Sequence, residues 1–199
     1  MERFGPTRRG GPVFRWLGEP LAIDLANTVM VVRDGESVDL LATAEELAIW
    51  LNRQRPRIGD CDFALRNLTE LRAAREDIRA LLAAAEREEA LPAGPLERVN
   101  ALSAAAPVAA RLAIDEEGRP PRLEQTAEAR GMTGLLGSLA RSTIELVAEH
   151  PQQPVKVCRA PSCGMFFRGR RRWCCAACGN RARAARHYRR LRSGNRGSP

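Results

Sequence analysis

The stretch CRAPSCGMFFRGRRRWCCAACGNRARAARHYRRL, residues 158–191, decides how the chain is read. It holds five of the six cysteines and no Asp or Glu. Two close pairs stand out, Cys158-x4-Cys163 and Cys174-x3-Cys178. Zinc takes four soft ligands in a tetrahedron, and two short chelating loops supply two thiolates each. Pro161 inside the first loop and Gly164 just after it suit a tight metal-binding knuckle. Cys175 offers Cys175-x2-Cys178 instead, and two adjacent residues do not readily both ligate, so spacing leaves the third ligand open. Clustered thiols in a reducing compartment favour a metal over disulfides. Cys61, alone in a helical context, reads as a small buried hydrophobe.

Working outward, Met165, Phe166 and Phe167 lead into Arg168-Gly169-Arg170, expected to turn back through Arg172-Trp173 as a hairpin. A helix is expected from Cys178 to about Leu191. Knuckle, hairpin and ligand-bearing helix together make a treble-clef-like module. On a helical wheel Ala184, Ala185, Tyr188 and Leu191 share one arc, and Arg183, Arg186, His187, Arg189 and Arg190 share the other. The apolar arc is expected to dock on Phe166, Phe167 and Trp173. Arg181 lies on the docking side and is expected to bond carbonyls or the thiolates.

Charge divides the chain. From Lys156 to Pro199 there are thirteen basic side chains, one Lys and twelve Arg, and no carboxylate side chain. The whole chain has 32 basic and 24 acidic residues, so the first 155 carry 19 against 24. A balance of −5 thus precedes one of +13. Four thiolates on Zn²⁺ leave the module at about +11, a density that suits phosphates and their released counterions. Arg168, Arg170, Arg171, Arg172, Arg183, Arg186 and Arg190 are the candidate nucleic-acid contacts.

The front of the chain is long enough for a hydrophobic core, whereas a forty-residue tail alone needs a metal or disulfides. Residues 1–12 read as a flexible leader, without the apolar segment of a secretory signal. Residues 13–150 read as a mostly helical domain, Pro151 to Pro154 as a hinge, 155–192 as the cysteine module and 193–199 as a disordered tail. In Pro20 to Val32, helical spacing at Ile23, Ala26, Asn27 and Met30 competes with a Val-rich, strand-like end. Asp34–Gly35 marks a turn. Thr43 and Glu46 form a capping box ahead of Leu47, Trp50 and Leu51. From Ala64 to Glu89, Leu68, Leu71, Ile78, Leu81, Leu82 and Ala85 line one helical face. Pro95 opens a short helix with Leu96, Val99 and Leu102. Arg111 to Asp115 and Arg122 to Gln125 flank Glu117–Gly118 as a β-hairpin, and Leu135 to Val147 returns to helix. The fold class is therefore mainly α (α+β): a helical domain with a small hairpin, then a treble-clef-like zinc finger.

At Cys178-Gly179-Asn180-Arg181 the sequence resembles the CGNR zinc finger family, with RRRWCCAACGNRARAARHYRR at the heart of the match. The front resembles the ABATE-type stress-induced transcription regulator domain, through GEPLAIDLANTV (Gly18 to Val29) and DLLATAEELAIWL (Asp39 to Leu51). The resemblance covers nearly the whole chain. It implies Cys158, Cys163, Cys174 and Cys178 as ligands of one structural Zn²⁺, since the family's third ligand directly follows Arg-Arg-Trp. It also implies DNA binding and transcriptional regulation, in the cytoplasm and at the nucleoid. RNA or the ribosome is the alternative partner.

A small-molecule effector of the front domain would meet Asp24, Asn27 and Thr28, polar groups that interrupt an apolar run and alternatively serve as caps or satisfied core groups. A homodimer through that domain is expected, because one small finger buries little surface. No membrane span is expected. An enzyme is not expected: only His150 and His187 are present, and a four-thiolate site is closed to water.

Overall fold

In the computed structural model the Thr43 hydroxyl accepts from the Glu46 N–H at 3.2 Å, and the Glu46 carboxylate accepts the Thr43 N–H at 2.8 Å. This capping box starts a helix that buries Leu47 and Trp50. The structure describes residues 14–31, 36–59, 67–114, 121–127 and 129–194. The expected leader, the Asp34–Gly35 turn, Cys61, the Glu117–Gly118 turn and the tail beyond Gly194 lie outside them. Among the described residues are six helices and three two-stranded antiparallel hairpins, a mainly α fold with small β elements.

The Pro20 to Val32 run is helix and strand in succession. Helix α1 (Leu21–Ala26) ends at Asn27, whose N–H bonds the Ile23 carbonyl at 2.9 Å. Strand β1 (Val29–Val31) then pairs with β2 (Ser37–Asp39). Helices α2 (Ala44–Ile58), α3 (Asn67–Glu86), α4 (Ala93–Ala104) and α5 (Gly131–Ala148) build the body. The six residues that the periodicity places on one face of α3 are all buried. Strands β3 (Val108–Ala113) and β4 (Arg122–Ala127) form the expected hairpin, beginning three residues earlier than its sequence suggests. Its Leu112, Ile114 and Leu123 are exposed.

Strand β5 (Val155–Val157) pairs with β6 (Phe166–Arg168), and α6 (Ala176–Gly194) completes the chain. This corrects the expected hairpin through Arg172-Trp173. The ladder joins the two arms of the knuckle: the Cys158 N–H bonds the Met165 carbonyl and the Gly169 N–H bonds the Pro154 carbonyl, both at 2.9 Å. Pairing this way buries Val155 beside Phe166, which a turn-back through the arginines would leave in water. Helix α6 also runs past the expected start of the tail at residue 193.

Side chains of β6 alternate between two cores, because successive strand residues face opposite sides. Phe166 enters the main core with residues of α1, α2, α3 and α5. Phe167 enters a second core of Cys158, Cys163, Met165, Cys174 and Cys178, with Leu17 and Trp173 at its edge. Phe166 was expected to support α6; it seals the module onto the front domain instead. The residues between Pro151 and Pro154 therefore join two packed bodies.

Buried polar groups tie α1 and β1 to α3. Arg75 donates to Thr28 Oγ1 at 3.1 Å and to both Asp39 oxygens at 2.6 and 2.8 Å. Arg79 donates to the Ala26 carbonyl at 2.6 Å and lies over the Phe166 ring at 5.7 Å. Burial pushes the Asp39 carboxyl up, but bonds from Arg75 and the Leu41 N–H outweigh it and hold the group below its usual range. No helix is long and apolar enough to cross a membrane among the described residues.

Helices α4 and α5 approach most closely at Gly137, where an added Cβ would collide with the Ala106 Cβ. Neither atom can swing aside. Gly137→Ala is expected to cost about 1–3 kcal/mol, read as a fall in the thermal midpoint with zinc content unchanged.

Candidate metal centre and nucleic-acid interface

The Sγ atoms of Cys158, Cys163, Cys174 and Cys178 all lie within 4.8 Å of one another, and all four residues are buried. The separations Cys163–Cys174 and Cys178–Cys163 are 3.8 Å, and Cys174–Cys178 is 3.4 Å. A Zn–S bond of about 2.3 Å gives a tetrahedral S···S edge of about 3.8 Å. The donor set therefore fits one zinc ion, held by the knuckle on one side and by Cys174 and the first turn of α6 on the other.

Proton chemistry argues the same way. A hydrogen bond from Cys174 lowers the Cys163 thiol to about 5, while that same bond drives Cys174 far up. Burial pushes Cys178 up to about 12. Without a cation the cluster ionises once with ease and resists further ionisation. A divalent metal is what allows four thiolates to share the space, and its binding releases protons.

Cys175 stands outside the cluster, its Sγ 3.9 Å from that of Cys174. Burial raises its thiol, but bonds from the Cys178 and Ala177 N–H groups and from neighbouring thiols outweigh this, so the net shift is downward. The sulfur thus takes the free N–H groups at the start of α6, as a helix cap does.

Each residue of Cys178-Gly179-Asn180-Arg181 has a task. Cys178 ligates. A Cβ at Gly179 would sit 3.1 Å from Trp173 Cδ1, so glycine admits the indole against the helix. The Asn180 side-chain oxygen accepts from Arg183. Arg181 donates to Cys178 Sγ at 3.0 Å, the structural role expected for it.

The candidate phosphate contacts divide into two groups. Arg168 donates to Glu149 at 2.7 Å, and Arg171 donates to Glu19 and lies 4.9 Å over the Phe167 ring. Both are held by carboxylates of the front domain. Arg170, Arg172, Arg183 and Arg186 are exposed and pair with no carboxylate among the described residues, Arg172 stacking on Trp173 at 5.2 Å. Arg190 is exposed on the outer half of α6. The expected apolar docking arc of α6 fails beyond Ala185: Tyr188 is 66% exposed and Leu191 57%. The small second core ends under Ala182, and no element covers the rest of the helix.

Asp24, Asn27 and Thr28 are brought to one end of the front domain, each engaged internally. Asp24 is bound by Arg57 at 2.6 Å and Gln54 at 3.3 Å; burial raises its pKa and these partners offset only part of that. Thr28 donates to the Leu25 carbonyl at 2.7 Å. Asn27 donates to the Phe166 carbonyl at 2.9 Å and accepts the Phe166 N–H at 2.8 Å. Sequence reasoning missed Glu19, which accepts the Arg168 N–H at 3.0 Å as well as the Arg171 guanidinium. A buried acid in GEPLAIDLANTV was the available signal.

Cys163→Ser is expected to abolish zinc binding and to unfold the finger, because modules this small rarely persist without metal. Metal analysis and the loss of Trp173 fluorescence structure would check it.

Residues 19–150 match the ABATE family model, described as "Putative stress-induced transcription regulator". Residues 155–191 match the CGNR zinc finger. A comparison with curated protein sequences found no match. The four clustered cysteines are the finger's site for one structural Zn²⁺. The chain belongs to the ABATE family, and a CGNR zinc finger follows its ABATE domain.

Proposed function

We propose that this protein is a non-catalytic, DNA-binding transcription regulator that works in the cytoplasm at the nucleoid. The observation that carries the proposal is the outer half of α6, which leaves the protein body exposed on every side and studded with Arg183, Arg186, Arg189 and Arg190. An uncovered helix without a carboxylate is poorly suited to standing alone and well suited to a groove lined by phosphates. Arg170 and Arg172 extend the same positive surface. Most of these guanidiniums would meet phosphates, and one or two would read base edges. The zinc site is closed, so its role is to hold the helix.

In this reading the front domain orients the finger, and Asp24, Asn27 and Thr28 serve its internal architecture, leaving any effector site elsewhere. Two copies on neighbouring half-sites would add the surface one finger lacks. Tyr188 favours a second reading, since an exposed aromatic ring among arginines can stack on unpaired bases of RNA.

A fluorescence titration with random duplex DNA across a salt series tests the first reading. Replacing Arg183, Arg186 and Arg190 by Gln should flatten the slope of log Kobs against log salt by about 2.7, with zinc retained. Tighter binding to single-stranded RNA than to duplex would transfer the proposal to the second reading.

A further inference from the structure

Strand β6 has two edges. Met165 and Gly169 turn their backbone bonds toward β5, so antiparallel alternation sends the N–H and C=O of Phe166 and the N–H of Arg168 to the other edge. No third strand lies there. Asn27 takes both polar groups of Phe166, and one Glu19 oxygen takes the Arg168 N–H. Two side chains of the front domain thus act as a surrogate strand.

That bond fixes the Glu19 carboxylate, and its other oxygen is committed to Arg171. Glu19 is buried, whereas 45% of the Arg171 side chain remains in solvent, in one turn with the exposed Arg170 and Arg172. The middle arginine of the triplet therefore reaches the surface with its charge already cancelled. The other pairs across this junction differ in kind. Arg159 beside Glu86 is 78% exposed, and Glu149 beside Arg168 is 52% exposed. Surface pairs of that sort contribute little and give way to a competing phosphate. Glu19 cannot swing aside without releasing the edge of β6.

Resting on the nucleic-acid reading above, we propose that Glu19 sets the finger's affinity for polyanions by withholding Arg171 from them. The front domain is then an affinity control as well as a scaffold. Its carboxylate stands where a phosphate oxygen would otherwise sit.

Glu19→Gln keeps an acceptor for the Arg168 N–H and removes the charge opposite Arg171. One added phosphate contact steepens the salt slope by about 0.9, which is about eightfold tighter duplex binding at 0.1 M salt. The double variant Glu19→Gln with Arg171→Gln should return to the wild-type slope. In the otherwise unchanged chain Arg171→Gln should leave the slope where it is; a fall of about 0.9 would show Arg171 already on phosphate and overturn the proposal, whether or not the Glu19 variant folds. A folded, zinc-loaded Glu19→Gln protein that binds DNA no more tightly would overturn it too. If the wild-type chain ignores duplex DNA, the DNA reading fails by itself, and elution from heparin, a sulfated polyanion, decides the matter. Later elution of Glu19→Gln supports the control by Glu19, and unchanged elution sinks it.

Discussion

The two-residue alternation of β6 is the constraint on which the rest of the structure depends. Phe166 and Phe167 are neighbours in sequence, yet they occupy different cores. Burying an aromatic side chain contributes about 1.5–3 kcal/mol, so the same three-residue strand stabilises both bodies. Slipping its register by one residue would put Phe167 against α3 and Phe166 among the thiolates, and would turn Arg168 inward. Asn27 blocks such a slip by bonding the N–H and C=O of one residue, Phe166. The metal fixes the other side, since the two arms of the knuckle are the strands themselves.

Charge is organised around the same strand. The finger's arginines nearest the front domain find Glu19, Glu149 and Glu86, and those beyond the junction find no carboxylate, Arg190 aside, whose contacts include an unassigned one. The acidic balance of the first 155 residues is thus partly spent in shaping which face of the finger stays positive. Arg181 shows a different use of a guanidinium. Against Cys178 it offsets thiolate charge inside the metal site, so the finger's net charge overstates what an external polyanion would meet.

Local signals were legible in the sequence, and long-range ones were not. The Thr43–Glu46 box, the buried face of α3 and the thiol spacing all act over a few residues, where helix and chelate geometry set the pattern. The choice of Cys174 over Cys175 needed the resemblance, and the structure gives its reason in the capping bonds to Cys175. The docking of Phe166 and the role of Glu19 link residues about 140 to 150 apart in the chain, and no periodicity encodes such contacts. The wheel of α6 misled for a related reason. Amphipathic spacing at Tyr188 and Leu191 shows which residues would bury together if a partner surface existed, and the finger's core is too small to provide one.

Sharing a strand also couples the two bodies thermodynamically. Melting the finger withdraws Phe166 from the main core and leaves the buried Asn27 amide without its partners, a cost of about 1–3 kcal/mol for an unsatisfied buried group. Zinc, which stabilises the ordered finger, therefore stabilises the docked front domain as well. Linkage makes the relation reciprocal: whatever loosens α1 from α3 must weaken metal retention by the same free energy. Arg79 is placed to carry that coupling, since it bonds the last carbonyl of α1 and covers the ring of Phe166 in a single side chain. An ABATE domain followed by a CGNR finger is, in this chain, a unit that gains and loses its order together.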